Sequence, residues 1–221
     1  MVAPQSTRLT NKKVAGMHRA EDVLEYWFGS PSSPEFGDRD NRWFRGGPAF
    51  DVELREKYLG LYEQAWNGEL DHLCDNWRGC LALILLFDQF SRNMFRGTPR
   101  AFAADPRALA LAEHAIEQGF DKDRLPTELT FSYLPFEHSE NLENQHRSVA
   151  LRSALPEHDR KAEAIEHAVR HKEVFERFGR YPHRNAVLGR ISTEDEIEFL
   201  KTADDNWIKS QIPPHEESSD A

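Results

Sequence analysis

Apolar residues along this chain recur at spacings of three and four and nowhere alternate over the length of a strand, so the pattern predicts one helix after another. Val23, Leu24, Trp27 and Phe28 share one side of a short helix over Glu21–Phe28, which Gly29 stops. Pro48 opens a second helix with the stripe Phe50, Leu54, Tyr58, Leu61, Ala65. The third, Trp77 to Arg96, is the most apolar and breaks at Gly97-Thr98-Pro99. Asp105 caps a fourth, with Leu109, Ala112 and Ile116 facing inward and Gly119 at its end. Pro126 to Tyr133 is a short fifth. Pro135 divides it from a sixth over Glu137–Ala154, and Pro156 starts a seventh that Gly179 terminates. Thr193-Glu194-Asp195-Glu196 is a capping box announcing the last, in which Phe199 and Leu200 turn inward. About eight helices on short links predict an all-α fold, an antiparallel array of helix hairpins. No internal repeat is visible.

Composition adds bounds. The 221 residues, 39% of them hydrophobic, suit one core, predicted over residues 17–205 between a flexible arm (1–16) and an acidic tail (206–221). A net charge of -10 argues against nucleic acid or an anionic membrane as partner. No apolar run approaches the roughly 20 residues of a membrane helix, and the first twenty residues lack the apolar centre of a signal peptide, so a cytoplasmic protein is predicted. Cys74 and Cys80 read as free, buried thiols.

Two blocks set charged and amide groups among large apolar ones, where polar groups need partners. In the first, Asp88, Gln89, Arg92, Asn93 and Arg96 fall within one helical sector roughly 140° wide, opposite Phe87, Phe90 and Met94. The second gathers Arg177, Arg180, His183, Arg184 and Arg190 in an otherwise acidic chain, around a corner stiffened by Gly179 and Pro182 that also presents Asn185. Between them, His138 lies on the boundary of a helical face, beside Asn141 and Gln145. His167 and His171 stand one turn apart and point inward; that is a metal-ligand spacing, but the third ligand must come from another helix, and no metal or other cofactor is predicted.

The segments Asp88-Gln89-Phe90 with Arg92-Asn93, then Phe102 with Asp105, Pro135-Phe136 with His138-Ser139-Glu140, and Arg177 through Leu188-Gly189-Arg190 closely resemble the family called domain of unknown function 924, in the same order, over about Ala20 to Leu200. The resemblance implies a tetratricopeptide-like helical fold and no established activity. It also implies that the position of Glu137 more often holds an uncharged residue.

These readings converge on a polar pocket between helices that takes a small anionic ligand or the acidic end of a protein or peptide partner. Its predicted contacts are Gln89, Arg92, Asn93, His138, Arg180, His183, Arg184 and Asn185, with Asp88 and Glu140 holding the cations in place. The alternatives are an enzyme with His138 or His183 as general acid-base, which needs a carboxylate to orient the imidazole, and a purely structural network in which the arginines pair with Asp88, Glu137 and Glu140.

Overall fold

The computed structural model describes residues 19–33, 36–37, 43, 47–204 and 206–209; the predicted arm and residues 210–221 of the predicted tail lie outside the described residues. Among the described residues every regular element is helical, and no helix is long and apolar enough to cross a membrane.

Helix α1 (residues 19–28) buries Ala20, Val23, Leu24, Trp27 and Phe28 at the predicted spacing. Helix α2 (Pro48–Trp66) starts at its proline and buries Leu54, Tyr62 and Ala65. A 3-10 turn (Asp71–Asp75) then leads into α3 (Trp77–Leu85), whose cap is Asn76: its Oδ1 accepts the Gly79 N–H at 3.1 Å. Gly79 is needed for more than the cap. A Cβ on it would lie 2.1 Å from the carbonyl oxygen of Leu73, so the turn packs directly onto the first helical turn.

Helix α3 runs unbroken into a π-helical turn (Leu86–Phe90) and on into α4 (Ser91–Met94), and every residue from 79 to 95 is buried. After α5 (Arg100–Ala103) come α6 (Asp105–Glu117), α7 (Pro126–His138), α8 (Leu142–Ser153) and α9 (Lys161–Phe178). Gly179, at φ 67°, ends α9 in the left-handed region. A 3-10 turn (Pro182–Arg184) follows, then α10 (Glu194–Thr202) and the short α11 (Asn206–Lys209). The capping box of α10 is complete: Thr193 Oγ1 accepts the Glu196 N–H and Glu196 Oε2 accepts the Thr193 N–H.

Three boundaries differ from the sequence prediction. Helix α7 passes through Pro135, forgoing the one backbone bond that proline cannot donate. The break falls instead after His138, where Asn141 Oδ1 caps α8 through the Asn144 N–H and the Gln145 amide donates to the carbonyls of Glu137 and Ser139 at 2.9 and 2.7 Å. His138 therefore ends α7 and does not sit inside α8 beside Asn141 and Gln145. Helix α9 begins at Lys161, well after Pro156, because the His158 ring accepts the Arg160 N–H and holds a turn ahead of it. Finally, Trp207 and Ile208 belong to the packed body although the predicted tail starts at 206: Ile208 is fully buried and the Trp207 indole stacks on the His171 ring.

The main core joins α1 to α3, α6 and α7 around Trp27, Phe28, Trp43, Phe90 and Phe131, with rings meeting edge-on, tilted and, for Trp27 on Trp43, stacked, at 4.8 to 6.3 Å. A smaller cluster holds Val174, Phe175, Tyr181, Phe199, Ala203 and Ile208. The C-terminal end of α7 lies between the two. Substituting Gly79→Ala forces a methyl group against a backbone carbonyl; a loss of about 3 kcal/mol is expected, read as a drop in Tm of roughly 6–12 °C by thermal unfolding.

Candidate functional site

The π turn shapes the first polar block. Its defining bond runs from the Ser91 N–H to the Leu86 carbonyl, five residues back, and three successive carbonyls of the widened turn are taken by side chains one turn on. Ser91 Oγ donates to Phe87 O at 2.5 Å, the Arg92 guanidinium to Asp88 O at 2.7 Å, and the Asn93 amide to Gln89 O at 2.9 Å. The polar groups that one helical sector was predicted to hold together are divided. Asp88 and Arg92 face α6 and α7. Asn93 and Arg96 turn to α2, where Arg96 grips Asp51 through two bonds and also donates to Asn93.

Asp88 is wholly inaccessible to solvent. Its Oδ1 accepts from His138 Nδ1 at 2.6 Å and lies 3.3 Å from the Arg92 guanidinium, while its Oδ2 accepts from the Gln89 amide at 2.6 Å. Burial pushes its pKa up, but Arg92 and His138 outweigh it and hold the carboxyl at about 2. Arg92 also forms a two-pronged pair with Asp105, at 2.9 and 3.1 Å, and Asp105 is shared with Arg184 at 3.2 Å. Arg184 closes the ring of contacts by donating to the His138 carbonyl at 2.9 Å, its guanidinium lying over the rings of Phe102 and Tyr181.

Two carboxylates thus balance two guanidiniums around one imidazole. Asp105 does not cap α6 with its side chain, as the sequence predicted; the arginines claim its carboxylate. For His138, burial and Arg92 lower the pKa against the opposing pull of Asp88, so the ring is neutral at neutral pH. With Nδ1–H donating to Asp88, Nε2 carries the lone pair, and it has no hydrogen-bond partner among the described residues.

The remaining predicted residues are placed around this centre. Glu140 accepts the Tyr181 N–H at 2.8 Å and pairs with Arg190. His183 is buried among the rings of Tyr181 and Trp207, with no partner for Nδ1 among the described residues, and burial first, then Arg184, depress its pKa. Arg180 and Asn185 converge elsewhere, on Glu196: Arg180 binds it in two-pronged fashion at 2.6 and 2.7 Å and the Asn185 amide donates at 3.2 Å. The geometry therefore joins Asp88, Gln89, Arg92, His138 and Arg184 directly, sets Glu140 and His183 beside them through Tyr181, and leaves Asn93, Arg180 and Asn185 in separate networks.

One residue before His138, Glu137 points the other way. It too is fully buried; Oε1 accepts from His167 Nδ1 at 2.6 Å, with His171 Nδ1 at 3.5 Å, and Oε2 faces Arg152 at 3.3 Å and Ser148 at 3.4 Å. Burial opposes its ionisation, but Arg152 and the two histidines hold its pKa well below the usual range. The thiols are quiet: Cys74 is half-buried, and burial pushes Cys80 up to about 12.

Three participants lie outside the contacts predicted from the sequence: Asp105, expected as a cap; Glu137, expected only as an arginine partner in the structural alternative; and Trp207, expected in the tail. A Trp-Ile pair after a run of acids was the one local signal for the last.

Fold and site together define an all-helical protein built around a buried, charge-balanced polar centre. Residues 23–204 match the family described as bacterial protein of unknown function, DUF924, and the chain belongs to that family. It is also similar to a protein of unknown function from Agrobacterium tumefaciens whose structure is solved: 34% identity, TM-score 0.74, with 85% of this chain and 99% of that one covered. No curated protein matches.

A carboxylate whose folded pKa lies below its unfolded value adds stability that is fully present above the unfolded pKa and vanishes as pH falls through the folded one. For Asp88 that window runs from about pH 4 to about 2 and is worth about 2 kcal/mol. Asp88→Asn should cost about 3 kcal/mol at pH 7, since it withdraws charge from the buried Arg92, and urea unfolding from pH 7 to 2 should show a correspondingly shallower acid limb.

Proposed function

We propose that the centre formed by Asp88, His138, Arg92 and Arg184 is a small-molecule site in which His138 Nε2 accepts a proton or hydrogen bond from a protic ligand. The observation that carries this reading is the 2.6 Å bond from His138 Nδ1 to a carboxylate that is itself fully buried and fixed by Arg92 and Gln89. It supplies the orienting partner a general base requires: the tautomer is set, the ring cannot turn, and the basic nitrogen is directed away from Asp88. Of the two histidines put forward from the sequence, His138 has this partner; His183 Nδ1 has none among the described residues.

The ligand class follows from charge. Arg92 and Arg184 are already matched by Asp88 and Asp105, so attraction by an unpaired cationic clamp does not operate. A small anion is still accommodated if it shares the guanidinium pair with Asp105, which with His138 is a partly exposed member of the ring of contacts. We therefore favour a small ligand with an ionisable O–H or N–H directed to His138 and an anionic group toward the arginines. The packing of α7 on α8 and of α8 on α9 supports reading the scaffold as a tetratricopeptide-like array of hairpins.

Nitrogen NMR of the histidine-labelled protein tests the geometry without a substrate. His138 should report the Nδ1–H tautomer, and Asp88→Asn should abolish that preference; an Nε2–H tautomer in the unaltered protein contradicts the proposal. In a panel of nitrophenyl carboxylate and phosphate esters, His138→Gln should lower any turnover by about 10²- to 10⁴-fold while circular dichroism stays unchanged. Equal turnover by the variant removes the general base.

A further inference from the structure

The second carboxylate-imidazole cluster lies outside the site just described. Glu137 from α7 meets His167 and His171 from α9, and one ligand atom from each falls within 4.8 Å of the others. We infer that Glu137, His167 and His171 form a binding site for a divalent transition-metal ion of the zinc or iron class. The inference is independent of the role proposed for His138.

The donor set is the first argument. Two imidazoles one helical turn apart and a carboxylate from a neighbouring helix are the mixed nitrogen and oxygen donors that such ions prefer, and three protein ligands leave further coordination positions open. Distances are the second. Ligand atoms around a four-coordinate ion with bonds near 2.0–2.1 Å stand about 3.3 Å apart; the separations from Glu137 Oε1 to the two histidine Nδ1 atoms, 2.6 and 3.5 Å, bracket that value. Binding needs only a small widening on the His167 side, together with a change of tautomer in both rings. In His171 the bond now made from Nδ1 to the His167 carbonyl, at 2.9 Å, is exchanged for the metal.

The support around the ligands is the third argument. Glu137 divides its oxygens: Oε1 faces the histidines, while Oε2 is held by Ser148 and Arg152, as an outer partner orients a monodentate carboxylate ligand. The Trp207 indole fixes the plane of the His171 ring by stacking on it at 3.7 Å. Beside them, His171 Nε2 is buried without a hydrogen-bond partner among the described residues, so this imidazole is not yet spent on a completed hydrogen-bond cluster. Access is through His167, whose side chain is 41% exposed. Arg152 opposes a cation. Glu137 offsets its charge, and Glu163, one turn before His167 on α9, adds a carboxylate within electrostatic reach of that histidine.

The test uses the full chain, stripped with chelator and titrated with Zn²⁺ by calorimetry, with Co²⁺ as a visible-absorption probe. One saturable site is expected, with a rise in Tm on adding Zn²⁺. His167→Gln, at a half-exposed position where the glutamine amide keeps a hydrogen-bond donor for Glu137, should weaken Zn²⁺ at least about tenfold and abolish both the Tm rise and the Co²⁺ ligand-field bands, with circular dichroism confirming an unchanged fold. His146→Gln, an exposed histidine outside the cluster, should leave all three unchanged. No saturable binding by the unaltered chain, equal affinity in His167→Gln, or an equal loss in His146→Gln would each overturn the inference.

Discussion

A carboxylate with no access to water must find its charge and hydrogen bonds within the protein, and Asp88 imposes that demand on the middle of the most buried helix. Left alone, it would shift to the neutral acid or destabilise the fold by several kcal/mol. Its partners come from its own helix, through Gln89 and Arg92, and from the end of α7, through His138. Arg92 then recruits Asp105 at the start of α6, and Asp105 recruits Arg184 from the turn after α9. Four segments distant in sequence are thus positioned by one buried charge, and the i,i+4 spacing of Asp88 and Arg92 on a continuous helix aims both at the same neighbours.

The last turn of α7 serves two polar centres at once. Consecutive residues on a helix diverge by about 100°, so Glu137 and His138 leave the backbone in different directions. Glu137 meets α8 and α9, and His138 meets the π turn. Each is one half of a carboxylate-imidazole pair at 2.6 Å, with the roles reversed: α7 supplies the base in one and the acid in the other. The Tyr181 hydroxyl donates to the Glu137 carbonyl at 2.5 Å, tying the turn after α9 to the same spot.

How far the sequence was readable follows from the range of each interaction. Apolar spacing located the helices because that signal is local, and the Thr193 capping box was legible because all its atoms lie within four residues. The two polar blocks were visible as anomalies. Their pairing was not: nothing near Asp105 shows that two arginines, 13 and 79 residues away, will compete for it. Arg92 and Asn93 are consecutive and so diverge by about 100°, but the predicted sector is wide enough to hold both, and which neighbouring helix each one meets is not a local property. Pro135 was read as a boundary because proline usually is one; here the surrounding packing of Phe131, Leu134 and Phe136 outweighs the lost backbone bond. The family resemblance of Ala20 to Leu200 conveyed the helical fold and left the chemistry open.

The stacking of Trp207 on His171 has a consequence for solvent access. Helix α11 is four residues long and reaches the smaller aromatic cluster through Trp207 and Ile208. The Trp207 indole stacks on the His171 ring and meets the His183 ring edge-on, so one side chain shields both imidazoles, and whatever displaces that ring exposes the two together.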